Sequence, residues 1–148
     1  MTRPTPNSLD SYPHRLTIPT RWADNDAYGH VNNSVYYFYF DTVVNKWLIE
    51  NSLLEINKSE VIGLVVGTAC DFFSPISFPD EVIAGLRAAK IGSSSVTYEI
   101  GLFRNAETTA SAQGHFVHVY VNEKNRRPTA ISGEMKIKLA DITSGETG

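Results

Sequence analysis

The chain has 148 residues, 42% of them hydrophobic, a formal net charge of −3 and one cysteine, Cys70. That length suits a single compact domain with a real core, and scattered Lys and Arg leave no basic stripe for nucleic acid or an anionic membrane. A lone cysteine excludes an internal disulfide and a thiolate metal cluster, and no stretch approaches the ~20 apolar residues of a membrane span, so a soluble cytoplasmic protein is expected.

Residues 1–13 carry Pro4, Pro6 and Pro13 among polar residues and are expected to form a loose arm, as is the tail 141–148. Between them, residues 14–140 read as one domain. Leu16, Ile18, Thr20 and Trp22 alternate with more polar neighbours, which predicts a first strand ending at the turn ADNDAYG. The run SVYYFYFDTVVNKWLIEN then places Tyr36, Phe40, Val43 and Trp47 on one helical stripe. Val35, Phe38, Tyr39 and Leu48 widen that stripe, so the helix is expected to be largely wrapped by protein.

Strand patterns follow. Val61 to Phe73 and Val82 to Ile91 are apolar runs, Val96, Tyr98, Ile100 and Leu102 alternate cleanly, and Phe116 to Val121 divides between two faces. Met135 to Leu139 offers a last strand. The fold class predicted is α+β: one long central helix crossing a five- or six-stranded antiparallel sheet. His115 and His118, three residues apart on a strand, are expected on opposite faces.

The residues most in need of a reason are Arg21 to Asn33, RWADNDAYGHVNN. Asp, Asn and Gly favour turns and caps, so the plain reading is a turn and a helix cap with Asp26 in an Asx-turn. The sharper reading aims a carboxylate at the positive end of the following helix, where orphan amides favour a developing oxyanion. Asp24 reads as structural. Gly29 suits a positive φ or the close approach of substrate. Histidine is a residue type able to give or take a proton, and His30 either assists chemistry or orients the loop. Asn32 and Asn33 are candidate caps. Asp24, Asp26 and His30 offer too few ligands for a metal site. There is no G-x-S-x-G elbow and no phosphate-binding glycine loop.

Arg21 to Asn33 followed by an aromatic helix resembles the hot-dog superfamily, specifically the 4-hydroxybenzoyl-CoA-thioesterase-like acyl-CoA thioesterases. The resemblance extends to FSPISFPDEV (Phe73 to Val82), IGSSSVTYEI (Ile91 to Ile100) and HVYVN with the RRP after it, and so covers most of residues 16–128. It implies dimers sharing one continuous sheet, assembled as homodimers or homotetramers, with active sites at the subunit interface and no cofactor. It implies Asp26 as nucleophile or general base toward an acyl-CoA thioester, and the main-chain N–H of Asn33 as donor to its carbonyl.

For CoA, Ser94 and Ser95 within Gly92–Ser95, together with Arg126 and Arg127, are candidate phosphate contacts. The alternative is a hairpin turn and a solvated basic pair. Some relatives carry basic residues where this chain has Ser93 and Ser94. Tyr36, Tyr37 and Tyr39 line an acyl or aryl pocket or are simply core. Acyl-CoA hydrolysis is the leading expectation; an acyl-thioester hydratase or dehydratase and a non-catalytic acyl-CoA-binding protein are the alternatives.

Overall fold

Period-two patterning builds the sheet, and the computed structural model describes it within residues 4–143. Strands β1 (His14–Pro19), β2 (Val61–Phe72), β3 (Glu81–Ile91), β4 (Ser95–Arg104) and β5 (Ala112–Asn122) pair antiparallel in the order β1-β3-β4-β5-β2. Their inward residues include Val82, Ala84 and Leu86 on β3, Tyr98, Ile100 and Leu102 on β4, and Phe116 and Tyr120 on β5, all buried. Helix α1 (Asn33–Glu50) lies on that face, which is the hot-dog arrangement expected.

The predicted stripe is the packed one: Tyr36, Phe40, Val43 and Trp47 are all buried. Phe40 meets Phe116 edge-on at 5.8 Å, and Trp47 meets Tyr98 at 6.4 Å. Phe38, by contrast, is 65% exposed, so one side of the helix stays open.

Three elements depart from expectation. The first strand stops at Pro19, and Trp22–Asp24 instead forms a single 3-10 turn capped by the Asp24 carboxylate. Met135 to Leu139 is not a strand but the middle of a second helix, α2 (Gly133–Ala140). Its M-K-I-K-L alternation also fits a helix that buries Met135 and Leu139, four apart, while Ile137 is left exposed. Ser132 sets the start, its hydroxyl accepting the Met135 N–H at 3.1 Å.

The N-terminal segment is also not loose where it is described. Asn7 and Leu9 join the backbone of Thr108 and Ala110. Tyr12 lies flat on the sheet's outer face over Gly85 and Gly101, where a Cβ would come within 2.7 and 2.5 Å of it. At the other end, Ile142 packs into the core, and residues 144–148 lie outside the described residues.

His118 faces inward, stacked on Phe116, with Nδ1 3.4 Å from the Tyr120 hydroxyl. Burial pushes its pKa down to about 4 from the ordinary 6.5. The unfolded chain therefore binds a proton that the fold refuses between those values, and stability rises with pH across that window. Denaturant titrations should show about 3 kcal/mol lost between pH 7 and pH 4 from this group alone. In His118→Phe that component should vanish.

Candidate active site

A strand that ends on proline, a 3-10 turn and a helix N-terminus follow one another between Pro19 and Asn33, and hydrogen bonds close the loop between them. Asp26 N–H donates to the His30 carbonyl at 2.8 Å, Gly29 N–H to the Asp26 carbonyl at 3.1 Å, and Asn32 N–H to the Asp24 carbonyl at 2.8 Å. Asn25 and Val31 bridge between these pairs. The result is a miniature hairpin with a type I turn over Asp26–Gly29. Gly29, at φ +79°, takes the left-handed position that such a three-residue loop requires. Aspartate before Ala-Tyr-Gly is thus a turn signature with a mechanism.

The Asp26 carboxylate serves that turn: its Oδ1 accepts the Tyr28 N–H at 2.9 Å. The Asx-turn reading is therefore realised. It does not use up the group, because a carboxylate has a second oxygen, and Asp26 remains half-buried. The His30 side chain is exposed on the opposite arm.

At the helix start Asn32 is the N-cap. Its Oδ1 accepts both the N–H and the hydroxyl of Ser34, at 2.9 and 2.8 Å, and its carbonyl accepts Val35 N–H. The Asn33 amide between them donates to no acceptor among the described residues. One of the orphan amides of α1 is therefore available at the end where the dipole is positive.

Asp24 is only 2% exposed and carries the frame. Its Oδ1 accepts the Arg21 guanidinium at 2.7 and 2.9 Å, and its Oδ2 accepts the Arg21 amide at 2.8 Å and the Tyr39 hydroxyl at 3.2 Å. Burial pushes the Asp24 carboxyl up, but the bonds from Arg21 and Tyr39 outweigh it and hold the group below its ordinary value. Burial, then the neighbouring Asp24 charge, push the Tyr39 phenol up, which keeps it a donor.

The segment before β3 holds the loop from the other side. Val31 N–H donates to the Ile76 carbonyl at 2.7 Å, and Phe78 N–H to the Asn25 side chain at 3.0 Å. Arg104 fixes the Pro75 carbonyl at 2.7 Å. Nothing in the local pattern marks these contacts beyond the FSPISFPDEV resemblance. The Arg21–Asp24 capping pair was legible only as an R-x-x-D spacing. Of the three tyrosines, Tyr36 is buried against Phe72, Tyr37 is half-buried, and Tyr39 is occupied by Asp24. Beside Asp24 an open cleft of about 440 Å3 is lined by Ile18, Pro19, Val35, Phe38 and Thr42.

The remaining candidates lie elsewhere. Gly92–Ser95 is the β3–β4 hairpin turn, closed by Gly92 N–H to the Ser95 carbonyl, and Ser94 accepts Tyr120 N–H through its carbonyl. Arg126, at φ +62°, and Arg127 sit in the exposed loop after β5. Ile131 N–H donates to the Ser93 carbonyl, so the two groups neighbour one another. Both are at the sheet end where β3 stops and β2 starts, whereas Asp26, His30 and Asn33 are at the end where β2 stops and β3 starts. A strand of ten residues, at ~3.3 Å each, separates them within one chain.

Comparisons with known proteins agree with this architecture. The model of the Thioesterase-like superfamily matches residues 20–139. The PA5185 protein of Pseudomonas aeruginosa strain PAO1 is 49% identical, with a TM-score of 0.92 over 97% of this chain and 100% of that one. The YsmA protein of Bacillus subtilis (strain 168) is 25% identical over 82% of each chain. A 1,4-dihydroxy-2-naphthoyl-CoA thioesterase from Synechocystis shares the fold at 16% identity, with a TM-score of 0.77 over 86% of this chain and 95% of that one.

The turn geometry gives a direct test. Nothing lies within 4 Å of a Cβ built on Gly29, so only backbone strain opposes a side chain there. Gly29→Ala should lower stability by about 1 kcal/mol in denaturant titrations, and Gly29→Asn by less, because Asn adopts the left-handed region more readily.

Proposed function

This chain belongs to the thioesterase-like superfamily, and from that premise we propose that it is an acyl-CoA thioesterase, converting a thioester and water to a free acid and CoA thiol. The observation that carries this reading is the Asn33 amide, without an acceptor among the described residues at the positive end of α1, on the same closed loop that presents Asp26. As the thioester carbonyl becomes tetrahedral, its oxygen gathers charge and accepts from that amide. Such a donor is worth roughly 3–4 kcal/mol of barrier in other acyl-transfer enzymes.

Asp26 supplies the other half through the oxygen not bonded to Tyr28. Acting as nucleophile it attacks the carbonyl carbon and expels the CoA thiolate, and water then opens the mixed anhydride. Acting as general base it takes a proton from the attacking water. His30, on the arm facing Asp26, is suited to protonate the leaving sulfur, and Gly29 and Asn32 leave the approach to the carbonyl unobstructed by bulk. The acid portion of a thioester fits beside Tyr36 and the helix start.

The CoA contacts assigned to Ser94, Ser95, Arg126 and Arg127 lie a whole strand away from Asp26, so one chain does not make a complete site. Edge strand β2 supplies a remedy: it is apolar, and Val61, Val65 and Val66 along it are exposed. Antiparallel pairing with β2 of a second copy continues the sheet and carries the arginine end of one subunit toward the Asp26 end of the other. The working unit is then a homodimer, alone or within a homotetramer.

The bond from Tyr28 to Asp26 favours a second reading, in which Asp26 only shapes the loop. Asp26→Asn separates the two, since Asn keeps the accepting oxygen and loses only the charge. Thiol release measured on short, long and aromatic acyl-CoAs should fall roughly 10²–10⁴-fold in this variant, with folding unchanged. Full activity would leave Asp26 as a turn residue. Val66→Lys, placing a charge on the β2 edge, should shift the species seen by light scattering toward monomer and reduce turnover with it.

A further inference from the structure

We infer that Asp24, Arg21 and Tyr39 form a positioning clamp that sets the Asp26 carboxylate against the Asn33 amide, an assignment that rests on the catalytic reading of Asp26. The 3-10 turn, helix α1 and the far arm of the hairpin meet at the Asp24 residue. Its carboxylate takes both the amide and the guanidinium of Arg21, which closes the 3-10 turn that follows the first strand. The same carboxylate takes the hydroxyl of Tyr39, which belongs to the second turn of α1. Its carbonyl takes the Asn32 N–H, the residue directly before Asn33.

The consequence is geometric. Asp26 is two residues beyond Asp24, and Asn33 is one residue beyond the amide that Asp24 accepts. The helix cannot slide or rotate relative to the loop without breaking the Tyr39 bond, and the hairpin cannot open without breaking the Asn32 bond. Burial makes both costly to lose, because at a residue only 2% exposed neither the carboxylate nor the carbonyl finds water to replace a missing donor. Asp24 and Tyr39 touch no reacting atom in this scheme; they act through Asp26 and Asn33.

Tyr39→Phe is the informative substitution. It keeps the ring that packs against Tyr36 at 6.3 Å and removes only the hydroxyl. A positioning role predicts that kcat falls between about 10- and 100-fold, the scale of a misplacement near 1 Å, with KM little changed. Amide exchange over residues 24–33 should speed up while protection of β4 and β5 stays native. Asp24→Asn, which keeps the shape and removes the charge, should act in the same direction and more strongly, and should not add to Tyr39→Phe in the double variant.

Native exchange over residues 24–33 in Tyr39→Phe would overturn the clamp. So would faster exchange with native kcat, because the network would then be structural only. Asp26→Asn, run in the same assay, keeps the two readings apart: an inactive Asp26→Asn beside a fully active Tyr39→Phe rejects the clamp alone. An active Asp26→Asn rejects the catalytic reading and, with it, the clamp's purpose.

Discussion

A carboxylate withdrawn from water must be answered by donors, and the site's geometry follows from how Asp24 is answered. Arg21 supplies donors from the N-cap of the 3-10 turn and Tyr39 one from the helix, so satisfying one buried charge ties the turn that follows β1 to α1. The helix is held independently by its apolar stripe, but packing alone is tolerant of small slides. Directional bonds to Asp24 are not, and they convert a packed helix into a registered one.

Within that frame the Asp24–Asn32 hairpin meets the demand of turn formation and, in the function proposed above, that of catalysis with the same residues. Turn formation needs an acceptor at its first position and a left-handed residue at its fourth, which Asp26 and Gly29 provide. Thioester cleavage needs a held carboxylate near a free helix amide. Because the Asx bond occupies only one carboxylate oxygen, it orients the group without consuming it. The turn role of Asp26 and the catalytic role proposed for it are in this sense compatible.

The sheet imposes a different constraint. Its strands are long enough to hold the Asp26 loop and the Arg126–Arg127 loop at opposite ends, and β2, which could bring them together across a two-fold, is an edge. A chain built this way has its candidate catalytic loop at one end and its basic loop at the other. In the homodimer proposed above, pairing through this edge covers exposed apolar residues and brings the two ends together, so one hydrophobic demand serves both association and the proposed substrate path.

The sequence by itself determined those features that depend on neighbours along the chain. The helical stripe Tyr36–Phe40–Val43–Trp47, the alternation in β4 and β5, the Asn32 cap and the turn at Asp26–Gly29 were all legible, because 3.6- and 2-residue periods and turn chemistry are local. The Met135–Leu139 segment has an apolar spacing that fits both periods, and the Ser132 cap marks it as helix. Tertiary structure alone decided the rest. Tyr12 covers Gly85 and Gly101, Tyr39 turns to Asp24, Ile76 and Phe78 close on the loop, and the two groups of candidate binding residues separate to opposite ends. Each of these pairs residues distant in sequence, and no local pattern encodes which distant partner a side chain will meet.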